Sequence, residues 1–439
     1  MENEIFEKMP IPKAYFKVAL PVVIGMVVSL IYNLADTWFI ARTGSTELVA
    51  GVSLCAPVFT LMIAFSDIFG LGGGNLISRM LGGGEKENAA CVSAFSIYGA
   101  IGFGLVTAAV MLLLKGPILG LLGASQSTLP YASAYYTWLV LGAPIIILNV
   151  VPGNLLRTEG LSAQAMVCTI IGAVLNIVLD PIFIFAFGMG AAGAAIATVL
   201  SNLVSDILLL RAMKKHAVNL SIRPGDCRIN SKMLQSILFI GIPASTTNMM
   251  QSLAVLLTNR CLVEYGTDKV AALGIAMKVN MVSMLILVGF AFGAQAALGY
   301  CYGAGNRKRL QEFLRFDIQV LVTLALLFIG VSFLFTKPIL GVFMQDPAVI
   351  AAGTSILRCL MISAPAVGIV LAMTTLFQAE GKALPALILS ISRQGVVLVI
   401  CLYGLRAVFG YTGILAAQAA ADVITMGIAL GLKRVYAGK

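Results

Sequence analysis

Asn176 and Asp180 lie four residues apart in the run Gly172 to Phe185, GAVLNIVLDPIFIF, which is otherwise as apolar as a membrane span. On a helix the two stack on one face, so an amide and a carboxylate would meet in hydrocarbon. A carboxylate there costs roughly 2.5–3.5 kcal/mol on insertion scales, and a chain that keeps one has a use for it in binding or releasing a cation. Pro181 follows and has no N–H to offer the Ile177 carbonyl, which loosens the backbone beside the acid. Asp36 (in SLIYNLADTWFIARTG) and Thr198 add a second carboxylate and a hydroxyl. Such hard oxygen ligands suit a small cation, Na+ among them, and the two carboxylates could equally share a proton. The plain alternative is that each group hydrogen-bonds a helix neighbour.

The elements that must position these groups are membrane spans. Of the 439 residues, 59% are hydrophobic and 11% charged, against about 25% charged in a soluble domain. Twelve apolar runs reach the ~20 residues that a bilayer requires: 16–41, 48–78, 89–114, 130–153, 163–187, 190–213, 233–262, 268–299, 313–336, 348–376, 383–406 and 411–432. The first reads as a span and not as a cleavable signal. Pro21, Pro57, Pro144, Pro243 and Pro365 fall inside spans, where neighbouring helices must satisfy the freed carbonyls. The surplus of ten positive charges fits cytoplasmic loops better than a nucleic-acid partner. Eight cysteines without a C-x-x-C, and one histidine, His216, in a basic loop, suggest neither a disulfide framework nor a zinc site. No Walker-type phosphate loop is present, and one histidine cannot build H-E-x-x-H, so ATP drive and intramembrane catalysis are both disfavoured. No cofactor is expected, and the chain is not read as an enzyme.

Loop charges set the orientation. Lys8, Lys13 and Lys17 precede the first span; Arg79 and Lys86 follow the second, Arg157 the fourth, and Arg307, Lys308 and Arg309 the eighth. The connection after the sixth span is strongly basic, and the alternate loops carry few cations, so both termini are predicted to be cytoplasmic. The chain also repeats itself. Ala143-Pro144 recurs as Ala364-Pro365 and Glu159-Gly160 as Glu380-Gly381, each 221 residues on, and Gly82-Gly83-Gly84 matches Gly303-Ala304-Gly305. The expected architecture is an all-α integral membrane protein, with twelve transmembrane helices in two pseudo-symmetric six-helix bundles around a central cleft. Its lobes are 1–215 and 232–439, joined by a cytoplasmic linker at 216–231. Two lobes without a cofactor motif read as a transporter working by alternating access.

Depth counting at ~1.5 Å per residue places Asp36 about 6–8 Å, Asp180 about 10 Å and Thr198 about 12 Å inside the outer ends of their spans, with Asn176 one turn deeper than Asp180. Four polar groups on three helices thus share the outer third of the first lobe. Asp67 falls toward the cytoplasmic side, where it could attract cationic cargo to the mouth of the cleft or simply be capped by Ser66 or the backbone. In the second lobe Lys278, Arg358 and Arg393 lie near mid-span. Asp422 is read as the only mid-span acid there, paired with one of the three; such a pair is usually structural. Met249, Met250, Gln251, Met281 and Met284 are candidates for the substrate cleft. Flexible thioethers accept varied apolar ligands, although they fill cores equally well. Pro21 and Pro181 are candidate hinges.

These residues resemble those of the multidrug and toxic compound extrusion (MATE) transporters over nearly the whole chain. The likeness rests on Asp36 with Gly44 after the first span, the Gly82-Gly83-Gly84 loop, Asn176-x-x-x-Asp180-Pro181, and the small-residue run Gly193-Ala194-Ala195-Ile196-Ala197-Thr198. The resemblance implies export of amphipathic, often cationic compounds in exchange for H+ or Na+. It also matches Asp36, Asn176, Asp180 and Thr198 to the family's N-lobe cation site. The sequence departs from members that carry acids in spans 7 and 10: here those stretches read Met249-Met250-Gln251 and Ala366 to Gln378, and the counterpart of Asp180 near Cys401 is not acidic either. Coupling is therefore expected in the first lobe. The expected location is a bacterial inner or plasma membrane, with the protein working as a monomer among lipids on small amphipathic molecules. The alternative is a flippase-like exporter of a lipid-linked or anionic cargo that would use Lys278, Arg358 and Arg393.

Overall fold

A computed structural model describes residues 3–341 and 347–436. Every backbone polar group inside a bilayer must be bonded within its own segment, which leaves helices as the only economical choice for these runs. Among the described residues there is no strand. We number the spans α1 Ile11–Ala41, α2 Thr46–Gly82, α3 Lys86–Leu113, α4 Leu129–Leu141 with Ala143–Thr158, α5 Ser162–Ala186 and α6 Gly190–His216. The second six are α7 Ser231–Val263, α8 Thr267–Gly303, α9 Arg307–Gly341, α10 Pro347–Ile362 with Ala364–Glu380, α11 Ala383–Phe409 and α12 Tyr411–Tyr436. Among the described residues nine of these are apolar and long enough alone, and α4 and α10 make eleven when each bent pair counts as one span. The remaining one, α7, is a 33-residue helix of more polar make-up.

The prolines mark where helices break or curve. Pro144 and Pro365 start the second segments of α4 and α10, which bend by 52° and 41°, and Pro57 stands in the first turn after a break at Cys55 in α2. Pro21 and Pro243 are accommodated inside continuous helices. After Pro181 the backbone widens into a π-helical turn over Ile182–Ala186, where the Phe187 amide reaches back to the Ile182 carbonyl at 2.9 Å. The internal repeat is visible in the turns. Gly84 and Gly305 close α2 and α8 at φ +80 and +68, and Gly160 and Gly381 follow α4 and α10 at φ +76 and +77. A left-handed residue is needed at these helix ends, and glycine adopts it without strain.

Contacts divide the chain into two units along different lines from the repeat: residues 3–7 with Ile24–Ser245, and Lys8–Val23 with 246–436. The first half of α1 thus belongs with the second unit and the first turns of α7 with the first. In the first unit Met62, Ile77, Tyr136, Leu139, Ile147 and Leu155 are fully enclosed. In the second, Leu357, Met361, Leu402 and Ala417 form the centre of the core, and Tyr15 stacks on Phe290 at 6.1 Å between centroids. Many large apolar side chains face outward instead, such as Leu113, Leu121 and Leu334, as lipid-facing helices require. The segment after α6 is tied to the first unit: Glu159 accepts from the Val218 and Asn219 amides at 2.9 and 2.6 Å, and Tyr98 donates to the Ile222 carbonyl at 2.9 Å.

Candidate cation-coupling site

The site is built where α5 and α6 pack together. A Cβ at Gly193 would stand 2.7 Å from the Phe183 carbonyl, so the helices reach this separation only because α6 has no side chain there. Asn176 and Asp180 are enclosed on α5, at 1% and 0% exposure. The Asn176 amide nitrogen is 3.5 Å from Asp180 Oδ1, a long contact that leaves most of the bonding capacity of both groups unused. Asp36 of α1 is half-buried and close enough for its charge to act on Asp180. Tyr32 and Tyr135 complete the surroundings, their hydroxyls exposed to the field of both acids. Sequence reasoning missed these two tyrosines, although Tyr32 sits one helical turn before Asp36. Thr198 is buried on α6, but its hydroxyl donates to the Ala194 carbonyl of its own helix at 3.0 Å.

Three acceptor oxygens of this cluster, Asp36 Oδ1, Asn176 Oδ1 and Asp180 Oδ2, are buried without a hydrogen-bond partner among the described residues. Nearly all buried polar atoms in native proteins are satisfied, so three exceptions in one place need a cause. A proton on either carboxylate, or a small cation among the oxygens, would supply it. The donors present, two carboxylates, an amide oxygen and a hydroxyl, are hard oxygen ligands of the kind a small cation takes.

The remaining candidates scatter. Asp67 is half-buried, and its charge acts on Arg157 of α4, whereas the neighbouring Ser66 hydroxyl has no hydrogen-bond partner among the described residues. In the second unit Arg393 is the cation that pairs with Asp422, Nε to Oδ1 at 3.1 Å. Asp422 also accepts from Ser363 at 2.7 Å and from Gln418 at 3.2 Å. Arg358 lies over the Phe333 ring and donates to its carbonyl at 3.3 Å, and Lys278 is exposed. Gln251 and Met284 line a cavity of about 90 Å³ beside Arg393 and Asp422. Met281 is half-exposed, and Met250 lies against Gly395. The Met249 side chain lies outside the described residues.

The reading of Asp422 as the sole mid-span acid of the second half is corrected. Asp317 of α9 is fully buried and accepts from the Tyr15 hydroxyl at 2.8 Å. The apolar run that starts at 313 puts Asp317 near its edge, but the helix begins at Arg307. Asp206 of α6, 2% exposed and held by Asn149 at 2.8 Å, was also passed over.

The MatE family profile matches residues 21–182 and 243–403, most of each half of the chain. The chain belongs to the MatE family. Among relatives of this MatE protein is the multidrug export protein MepA of Staphylococcus aureus, 31% identical over 410 residues, which cover 93% of this chain and 90% of MepA. MepA of Staphylococcus saprophyticus is 29% identical over 95% of this chain and 92% of its own. Solved MATE structures share the fold throughout. A multidrug resistance MATE family transporter in an outward-facing conformation superposes with a TM-score of 0.93 at 27% identity, covering 99% of this chain and 97% of that one. A MOP superfamily transporter from Pyrococcus furiosus, described as having a binding pocket of reverse polarity that suggests a different function, superposes with a TM-score of 0.92 at 27% identity, covering 99% and 97%. With these matches, the MatE chain is a multi-pass membrane transporter of the twelve-helix type.

Proposed function

We propose that the protein exports amphipathic, mainly cationic compounds by alternating access, driven by inward flow of H+ or Na+ through Asp36 and Asp180, with Asn176 and Thr198 as supporting oxygen ligands. The observation that carries this reading is the trio of buried, unmatched acceptor oxygens in a multidrug-exporter family. Ionised, the two carboxylates repel each other across a poorly hydrated space. Uptake of a proton or Na+ removes that repulsion and lets α1 and α5 repack, with Pro21 and the wide turn after Pro181 as the compliant points. Release of the ion on the other side restores the charge and the opposite packing. Both termini lie in the cytoplasm, and one chain in a bacterial cytoplasmic membrane suffices.

The test is dye efflux from proteoliposomes under an imposed pH gradient and then an imposed Na+ gradient. Asp36→Asn and Asp180→Asn should each abolish gradient-driven efflux while the protein remains folded and inserted. Wild-type rates in both variants would sink the proposal, and the gradient that works names the ion. A second reading, export of an anionic or lipid-linked cargo, draws on exposed Lys278 and half-stacked Arg358. Arg393 no longer supports it, since Asp422 neutralises that charge. An anionic lipid-transport assay on the same vesicles separates the two.

A further inference from the structure

Below Thr198 the sequence of α6 continues the polar character of the site. Ser201, Asn202, Ser205 and Asp206 follow Thr198 at +3, +4, +7 and +8, the spacing of one helix face. That face is turned inward: Ser201, Ser205 and Asp206 are 3%, 3% and 2% exposed. Against it α5 sets Gly172, where a Cβ would come within 2.8 Å of Ser205 Cβ, and then Ala173. A cavity of about 40 Å³ lies between the helices, reaching from Asn176 of the coupling site to Asn202, Ser205 and Asn149. At ~10–15 Å³ of such volume per water it holds about three, and its lining of amides and hydroxyls offers each water the partners it needs. Asn149 bridges the far end to Asp206, donating to Oδ1 at 2.8 Å. Asp206 Oδ2 is buried and unpartnered.

We propose that this cavity is a proton-transfer route and that Asp206 is its inner terminus, a carboxylate that receives the proton leaving the Asp36–Asp180 pair and hands it to the cytoplasmic side. The inference rests on the proton-coupled form of the function proposed above. Eight residues of helix separate Thr198 from Asp206, about 12 Å of rise, too far for a single transfer. Relay is required: the Asp180 carboxyl gives its proton to the adjoining water and returns to carboxylate. Each water along the stripe accepts one proton and donates one, while the Ser201 and Ser205 hydroxyls, whose own protons go to the Thr198 and Cys168 carbonyls, accept from the waters and hold them in line. The Asp206 carboxylate becomes the acid and re-ionises to water at the inner end of α6. One proton moves and no other bond changes. The groups around Asp206 are neutral: Asn149 from α4, Ser205 beside it, and the Cys168 carbonyl of α5 to which Ser205 donates. Among the described residues no cation pairs with it, so its charge is free to change.

The experiment follows acidification of a trapped pH dye together with export of a cationic dye in proteoliposomes carrying an imposed pH gradient. Asp206→Asn and the double variant S201A/S205A should slow both at least tenfold, with dye affinity in detergent within twofold of wild type; Asp206→Glu should restore most of the rate. Transfer in wild type should slow in D2O, and the residual rate of Asp206→Asn should not. The double variant keeps the test open should Asp206→Asn fail to fold. Wild-type acidification in Asp206→Asn or in S201A/S205A, alongside a dead Asp180→Asn, overturns the route and leaves the coupling site standing. Wild-type acidification in Asp180→Asn, or transport driven by Na+ alone, removes proton coupling itself and the route with it.

Discussion

Asp180 and Thr198 are both buried where α5 meets α6, yet their oxygens are differently committed. Asp180 keeps one oxygen unmatched and the other in a 3.5 Å contact, while the Thr198 proton is already spent on the Ala194 carbonyl. Only the lone pairs of Thr198 remain for an ion. Thr198→Val should therefore lower gradient-driven efflux by about tenfold, the size of one modest polar interaction, where Asp180→Asn abolishes it; an equal loss in both would give Thr198 a larger share than its bonding allows. At this scale the sequence is legible where spacing alone carries the meaning. Asn176 and Asp180 stand out because i, i+4 puts two polar groups together in an apolar run. Asp317 does not, because hydropathy marks the apolar part of a helix and not its start. Six residues, under two turns, precede the apolar run of α9, and with them Asp317 stands about 15 Å into the helix from Arg307.

The wide turn of α5 and the close approach of α6 form a single arrangement, since the Phe183 carbonyl, which accepts from the Met189 amide at 3.1 Å just past the π turn, is the atom that Gly193 lies against. Gly193→Val would drive a branched side chain into backbone that cannot yield. It should lower stability by about 1–3 kcal/mol, read as a fall in detergent melting temperature, with efflux lost in proportion as Thr198 is displaced. The second unit offers the converse case, a charge that is fully answered. Removing the guanidinium in Arg393→Met leaves Asp422, 1% exposed, with only Ser363 and Gln418. A broken buried pair costs about 3–5 kcal/mol, and the two remaining donors put this one near the lower end. Arg393→Gln combined with Asp422→Asn should recover most of the loss in the same melting assay. Spans, bends and this pairing could be anticipated from prolines and charge signs. The π turn of α5 could not, since a proline signals a missing N–H but not whether the chain answers it by kinking or by widening.

Across the whole molecule, twelve spans and a twofold repeat could be read directly, because each needs only hydropathy and matching turns 221 residues apart. The grouping of contacts could not, since residues 8–23 and the first turns of α7 depart from their own halves, and nothing local in those stretches encodes a distant neighbour. Nor does the composition of the basic segment after α6 reveal that it is strapped down through Glu159, Ser93 and Tyr98. That strap carries the one cysteine of a polar loop, Cys227, and so provides a test of orientation. Partial burial, and then the nearby Cys91 thiol, raise the Cys227 pKa. Less of the reactive thiolate therefore exists at neutral pH than for a free cysteine, and the fraction grows as pH rises. In a variant that keeps Cys227 and replaces the other seven cysteines, so that burial alone holds the thiol up, a membrane-impermeant maleimide should label inside-out vesicles and not intact cells. Labelling should be slow at pH 7 and accelerate through pH 9. Labelling of intact cells would place the strap outside and reverse every depth assigned to Asp36, Asp180 and Asp206. Labelling at the rate of a free thiol at pH 7 would show that the strap leaves the first unit in the membrane.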